Sequence, residues 1–459
     1  MSLRPLLAHL NEHPEATRLA EAGGDAFVSV SLRPALVAAL ADRDPDRATL
    51  VVAGDDRHAR ELAADVRAWL KPRRVGFYPS RGVAYESHLT PPPHLTGLRV
   101  AALDALSETA PVIVVSAVAL SEKVPDPSLR PHSLKIAKGD LIDLDDFAGE
   151  LVAAGYERVE QVEDRGQFAM RGGILDLYPA TEDRAVRVEL FDIEVESLRW
   201  FSTFTQRSLG DTDAVEIAPA AELAPEHREA AELAALDDER PDIADILPVE
   251  SFREFLDLVP ADAQILIAAG EDVEPAVRDN WQDVCTAFHD EDAGHLYVHP
   301  DRLLERLGDR AKISLSGLDS GQPFEFRAQA ADIAARSLAA AEPELEKLTR
   351  SDYTTVVAWT SRGAGERAAY NLGRLKAQWG ADAPTPLRFV EARLRDGFIA
   401  PQFRLAIIPE HRLIQTRNRR QEKKRGGGRG ALRSFADLRT GDIIVHEDHG
   451  LARFAGFDT

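Results

Sequence analysis

Two arginines and a phenylalanine set out at strand spacing offer the clearest recognition chemistry in this sequence. In Gln167-Phe168-Ala169-Met170-Arg171, the two-residue period of a strand sends Phe168 and Met170 to one face and Arg171 to the other. In Arg187-Val188-Glu189-Leu190-Phe191, the same period groups Val188 with Leu190 and opposes them to Arg187, Glu189 and Phe191. The apolar sets can build a core. The remaining face then presents Arg171, Arg187 and Phe191, residue types enriched where proteins bind one another. An ordinary solvated sheet face has the same pattern, and alternation alone does not separate the two.

Bond-making chemistry is harder to find. A phosphate-binding loop needs GxxxxGK[ST], so that backbone amides wrap the phosphates and a Lys reaches the terminal ones. No such string occurs, and the first strand is followed by Ser31-Leu32-Arg33-Pro34-Ala35. Gly363-Ala364-Gly365 lies between a strand and a helix but lacks the Lys, so a short βα turn is the simpler reading. Leu405 to Glu410 reads as a core strand ending in Pro and an acid. His446-Glu447-Asp448-His449 places its histidines three apart in a turn, whereas a helical zinc pair needs four, so no metal is expected there. Cys285 lies beside Val284 and Phe288 on an apolar helix face and reads as packing. No catalytic residue, cofactor or metal site is expected in this chain.

A basic stretch stands apart. Between Arg412 and Arg433 there are nine Lys and Arg, among them Arg417, Arg419, Arg420, Lys423, Lys424 and Arg425, against Glu422 alone. The whole chain carries −22, so its positive charge is segregated here. Phosphate contacts, an acidic protein partner and a solvated Gly-rich linker all fit.

The elements that must position these residues come from 459 residues, enough for about three domains. The 44% apolar content suits sizeable cores, and the single cysteine excludes an internal disulfide. No secretory signal or apolar run of membrane length is present, which with one cysteine predicts a cytoplasmic protein. Strand-like and helix-like runs alternate from Ala26 to Leu120, with strands at Thr49 to Gly54 and Pro111 to Leu120. Helices are predicted over 33–42, over 55–70 with acids at its start, and around Leu98 to Leu106. That rhythm predicts a parallel sheet covered by helices. An α+β module over 126–210 interrupts it, and the α/β rhythm of 1–125 resumes over 211–320. A second small α/β domain of uncertain role is expected over 321–411, with helices at Gln329 to Ala340 and from Gly365 to Gly380. A basic linker over 412–431 and two short strands within 432–459 complete the chain. Two strands do not hold themselves folded, so that last piece reads as the truncated start of a further domain.

GYERVEQVEDRGQFAMRGGILDLYPA and RVELFDIEVESLRWFSTFTQRS resemble the bacterial transcription-repair coupling factors. The motif residues include Gly155-Tyr156, Gly166, Phe168, Arg171-Gly172, Leu175-Asp176-Leu177, Phe191-Asp192 and Gln206-Arg207-Ser208. The same block is similar to domain 2 of UvrB. FYPSRGVAYESHLTPPPHLTGLRVAAL and LRTGDIIVHEDHGLARFAGF resemble further segments of the family. The resemblance implies a degenerate helicase-type (RecA-like) scaffold without a nucleotide site, an inserted UvrA-binding module, and the cut start of a β-barrel domain that meets RNA polymerase. It implies UvrA contacts at Arg171, Arg187 and Phe191. ATP, magnesium and DNA would be handled by the family's translocase motor, expected beyond Thr459. The rival reading is a UvrB-like ATP-dependent repair helicase, against which the missing Lys-Ser/Thr pair counts. A third reading is nucleic-acid binding through the Arg412 to Arg433 stretch.

Overall fold

The computed structural model describes residues 2–82, 85, 91–108, 110–225, 227, 249–287 and 290–414, together with the strands Ile443–His446 and Gly450–Arg453. The chain divides into two compact units, Met1–Ile414 and Gln415–Thr459. In the second, Ile443–His446 and Gly450–Arg453 pair as an antiparallel hairpin.

The first unit is built on a seven-stranded parallel sheet. Its spatial order is Phe324–Phe326, Gly24–Val28, Ala311–Ser316, Gln264–Ile267, Thr49–Ala53, Val112–Ser116, Val75–Tyr78. The apolar runs TLVVA and VIVVS are buried along their whole length, as strands covered on both faces require. Helices Arg33–Asp42 and Asp56–Leu70 pack on one face, and Pro93–Glu108 packs on the other. The Asp55 carboxylate caps the second of these, accepting from the His58 amide at 2.7 Å.

Several elements depart from expectation. The strand from Val112 stops at Ser116, whose hydroxyl accepts from the Ala119 amide and starts a helix, so Ala117 to Leu120 are helical. Gln329–Ala330 is a strand, and the helix begins only at Leu338, where Ser337 caps it. The helix Arg362–Asn371 ends well before Gly380, and Gln378–Trp379 pairs into a sheet. Phe324–Phe326 extends the first sheet instead of starting a second domain. The second sheet runs Gln329–Ala330, Phe398–Ala400, Leu405–Pro409, Thr354–Trp359, Leu387–Glu391, Gln378–Trp379. It shares one core with the first, where Trp69 stacks on Phe398 at 6.2 Å between ring centroids. Arg412 also lies inside this unit: it belongs to the helix Glu410–Leu413 and pairs with Asp396 at 2.6 Å.

The inserted module is a six-stranded sheet: Ser208–Thr212, Glu194–Phe201, Ala185–Phe191, Ile174–Leu177, Gln167–Arg171, Glu157–Arg158. Phe168, Leu175, Leu177, Val186, Val188, Val195 and Leu198 form its inner face against Phe147 and Leu151 of the helix Leu144–Ala153. Leu134–Ala137 pairs with Ala214–Ile217 and closes the module at Ile217, past the boundary expected at 210.

Where the module joins the scaffold, four charges lie together, Arg99 and Glu122 buried and Arg81 and Glu222 nearly so. Arg99 donates to Glu122 and to Glu222, each at 2.6 Å, and Arg81 donates to Glu222 at 2.8 Å. The Arg99 side chain is 1% exposed, with Tyr78 under its guanidinium at 4.7 Å. Burial alone would raise the Glu222 carboxyl, but the Arg99 and Arg81 guanidiniums overturn that and hold it below its ordinary value. Removing one partner strands the others without water. Arg99→Leu is therefore expected to lower stability by about 3–5 kcal/mol, read as the shift in a urea unfolding midpoint.

Candidate protein-binding surface

The outer face of the inserted sheet carries the residues singled out by strand alternation. Arg171 ends its strand exposed, and its guanidinium donates to the Glu160 carbonyl at 2.8 Å. Phe191 ends the next-but-one strand and is 77% exposed, beside Asp192 in left-handed backbone at the hairpin turn. Gly172-Gly173 sets the register of the first hairpin. Gly172 has φ +61°, and a Cβ on Gly173 would lie 2.9 Å from the Leu190 carbonyl oxygen, so both positions demand glycine. That turn pairs Arg171 with Ile174, and Ile174 pairs in turn with Glu189.

Arg187 differs from the free cation its position suggests. It is half-buried and directly opposite Asp176. Nε donates to one Asp176 carboxylate oxygen at 2.6 Å, and Nη2 donates to the other at 2.7 Å. Nη2 also reaches the Gln206 side-chain oxygen at 3.1 Å, and the guanidinium lies 4.7 Å from the Phe201 ring centroid. The hydrogen-bonded Asp176 carboxylate raises the Arg187 guanidinium above its ordinary value. Arg199, its neighbour across the sheet, pairs with Glu189. Arg187 and Arg199 are thus neutralised within the module, and among the described residues Arg171 is bonded only to a carbonyl.

Sequence reasoning places neither Ile174, Phe204 and Leu209 nor the motif residue Asp176 on the exposed surface of the module. Ile174, Phe204 and Leu209 are exposed apolar residues of the same module, Phe204 at 95%. Alternation along Ile174-Leu175-Asp176-Leu177 puts Ile174 and Asp176 outward and was available as a signal. Nothing local marks Phe204, which sits in the turn between two strands. Arg417, Arg419, Arg420, Lys423, Lys424, Arg425 and the acidic residues between His446 and His449 lie outside the described residues. Cys285 is half-buried, whereas its neighbour Val284 is buried.

The carboxyl ends of the parallel strands, where such sheets bind ligands, are built differently from a phosphate site. Arg33, at the start of the first covering helix, pairs with Glu271 at 3.1 Å, and the same carboxylate oxygen accepts from the Gly317 amide at 2.8 Å. A cavity of about 280 Å³ lies beside it, lined among others by Ser31, Ala53, Asp65, Trp69, Arg395 and Phe398. Of the glycines at 363 and 365, the second belongs to a packing contact: a Cβ on Gly365 would come within 2.7 Å of the Trp379 ring.

Burial pushes the Asp65 carboxyl up to about 6, although the Arg395 amide donates to it at 3.1 Å. The folded chain therefore holds a proton that an unfolded Asp, titrating near 3.8, releases. The Asp65 contribution to stability is full below about pH 4 and is lost as pH rises through about 6. Asp65→Asn should remove that fall, worth about 3 kcal/mol, so the two proteins' unfolding curves diverge from pH 4 to 7.

Residues 134–223 match the UvrB interaction domain family, whose span contains the whole six-stranded sheet and its outer face. The chain as a whole is 24% identical over 502 aligned residues to the transcription-repair-coupling factor of Bacillus subtilis (strain 168), covering 95% of this chain and 42% of that protein. The corresponding factors of Staphylococcus haemolyticus and Staphylococcus epidermidis are 24% and 25% identical over 89% of this chain. The chain spans about two-fifths of the length of these curated relatives. The resemblance read from the residues therefore extends over nearly the whole chain. No helix among the described residues is long and apolar enough to cross a membrane.

Proposed function

We propose that this chain is the N-terminal part of a transcription-repair coupling factor and that it recruits the excision-repair protein UvrA through the outer face of its inserted module. The reading is carried by one observation. On a sheet whose inner face is sealed, Phe191 stands 77% exposed on the face that also carries Arg171 and Arg187. Phe191 would fill an apolar pocket of UvrA, and the arginines would pair with its carboxylates or carbonyls. The protein works in the cytoplasm by recruitment, without making or breaking a bond. On this reading the stretch 432–459 is the cut start of the domain with which the family meets RNA polymerase, and the family's DNA contacts and its use of ATP and magnesium belong to the parts of the relatives that this chain does not span. The basic residues from Arg417 to Arg425 would serve as contacts for nucleic acid or an acidic partner.

The binding test uses calorimetry with purified UvrA. Arg171→Ala and Phe191→Ala should each weaken binding by roughly 2 kcal/mol and shift stability by only about half a kcal/mol, since neither side chain fills core volume. Phe168→Ala, on the sealed face, should instead cost about 3 kcal/mol or more of stability. Added salt should weaken wild-type binding, and Arg171→Ala should flatten that dependence, because Arg171 is the outer-face cation that no carboxylate neutralises. Unchanged affinity in both outer-face variants would move the recruitment surface elsewhere.

The rival UvrB-like ATPase is disfavoured by the Arg33–Glu271 pair and by the sequence Ser31-Leu32-Arg33-Pro34 at the helix start. The chain is expected to show no ATP turnover above background, with or without DNA. Turnover abolished by chelating magnesium would overturn the degenerate-scaffold reading.

A further inference from the structure

Arg187 is held at three points by groups from three places in the module. Asp176 grips Nε and Nη2 as a fork, at 2.6 and 2.7 Å, from the adjacent strand. Gln206 takes the second Nη2 hydrogen at 3.1 Å from the turn that follows Glu194–Phe201. The amide of Gln206 is itself fixed, because its Nε2 donates to the Thr203 carbonyl at 2.8 Å. Phe201 lies against the guanidinium at 4.7 Å. A guanidinium has five N–H donors. Three are committed, and the two on Nη1 meet no acceptor among the described residues.

A long side chain fixed on one edge and vacant on the other is prepared for a second partner. An Arg normally loses rotamer freedom when it binds, and a fork that has already restricted it removes part of that cost. Asp176 sits 18% exposed at its side chain, between Ala169 and Arg187 on the outer face, with its carboxylate turned to the guanidinium. We propose that Asp176 is a positioning residue for UvrA binding: it makes no contact with UvrA and acts by presenting the Nη1 edge of Arg187. This rests on the recruitment reading above. The opposite effect is also physically defined. A carboxylate that merely competed for Arg187 would weaken binding, and its removal would tighten it.

Calorimetry of the full chain with UvrA separates these. Asp176→Asn, which keeps the volume and loses the charge, should weaken binding about tenfold, and Asp176→Glu, which restores the charge, should recover most of that loss. In an Arg187→Ala background, Asp176→Asn should change affinity less than twofold, because nothing remains to be positioned. A purely structural role would leave the two losses additive, and that result would overturn the proposal. Tighter binding by Asp176→Asn would overturn it in favour of competition. If Asp176→Asn does not fold, the exchanged pair Asp176→Arg with Arg187→Asp keeps the cross-strand bridge and should still lose binding at least tenfold; wild-type affinity there would overturn the proposal. Loss of binding by Arg171→Ala and Phe191→Ala with none by Asp176→Asn would defeat the positioning role alone. Unchanged binding in all three would defeat the recruitment reading itself.

Discussion

The buried cluster of Arg81, Arg99, Glu122 and Glu222 is the constraint on which the placement of the inserted module depends. Glu122 lies where the chain leaves the scaffold, and Glu222 lies five residues after the strand that closes the module. Arg99 bridges the two and also donates to the Pro79 carbonyl at 2.9 Å, at the end of a scaffold strand. Each charge is tolerable only because its opposites are present, so the outgoing and returning segments cannot separate without exposing an unpaired ion to an apolar interior. Close packing reinforces the clasp. A Cβ on Gly97 would stand 2.7 Å from Ala180, which leaves room only for glycine where the scaffold helix meets the module.

The same electrostatic logic governs the outer face at lower stakes. Arg187 and Arg199 are each paired with an acid, so this part of the face is nearly neutral while remaining rich in directed donors. Neutral paired charges cost less to bury under a partner than free ones, because much of their hydration is already replaced. On the recruitment reading, Arg171, which is bonded to the Glu160 carbonyl and to no carboxylate among the described residues, would supply long-range attraction, and a held Arg187 would supply geometry. An exposed Phe191 adds area to desolvate at the sheet end. On that reading each physical ingredient of the interface would fall to a different side chain.

What could be read from the residues followed from local physics. The helix from Asp56 to Leu70 was legible because its cap and its apolar spacing agree, and Arg171, Arg187 and Phe191 fell on one face because a strand has a period of two. The Asp176 fork was not legible. Alternation gives the face, but which residue stands opposite Arg187 depends on the register between two strands joined by a seven-residue connection from 178 to 184. Gln329–Ala330 reads as helix because an alanine-rich run favours helix locally, but pairing with Ile399 and Phe398 overrides that preference and makes it a strand. The shared core of the two sheets was equally invisible, since the Trp69–Phe398 contact joins residues more than 300 positions apart.

That shared core bears on what the scaffold is for. In open parallel sheets the carboxyl ends of the strands form the crevice that ligands enter. Here Leu394 and Arg395 from a connection of the second sheet, and Phe398 from one of its strands, wall that crevice, and Arg33 is tied to Glu271 at its edge. Glycines that would let a phosphate approach the backbone are replaced by Arg33 and Pro34, the second of which has no amide hydrogen to donate. A moving helicase-type pair of sheets must open and close around its ligand, but these two are joined by the continuous packing of Trp69, Phe398, Leu405 and Val356. Such packing transmits force without yielding, because a close-packed interior resists small displacements. On the recruitment reading, a close-packed base, a module clasped to it by paired charges and an outward face of preset side chains would hold a recognition surface at a fixed place, where a partner could be bound without first being shaped.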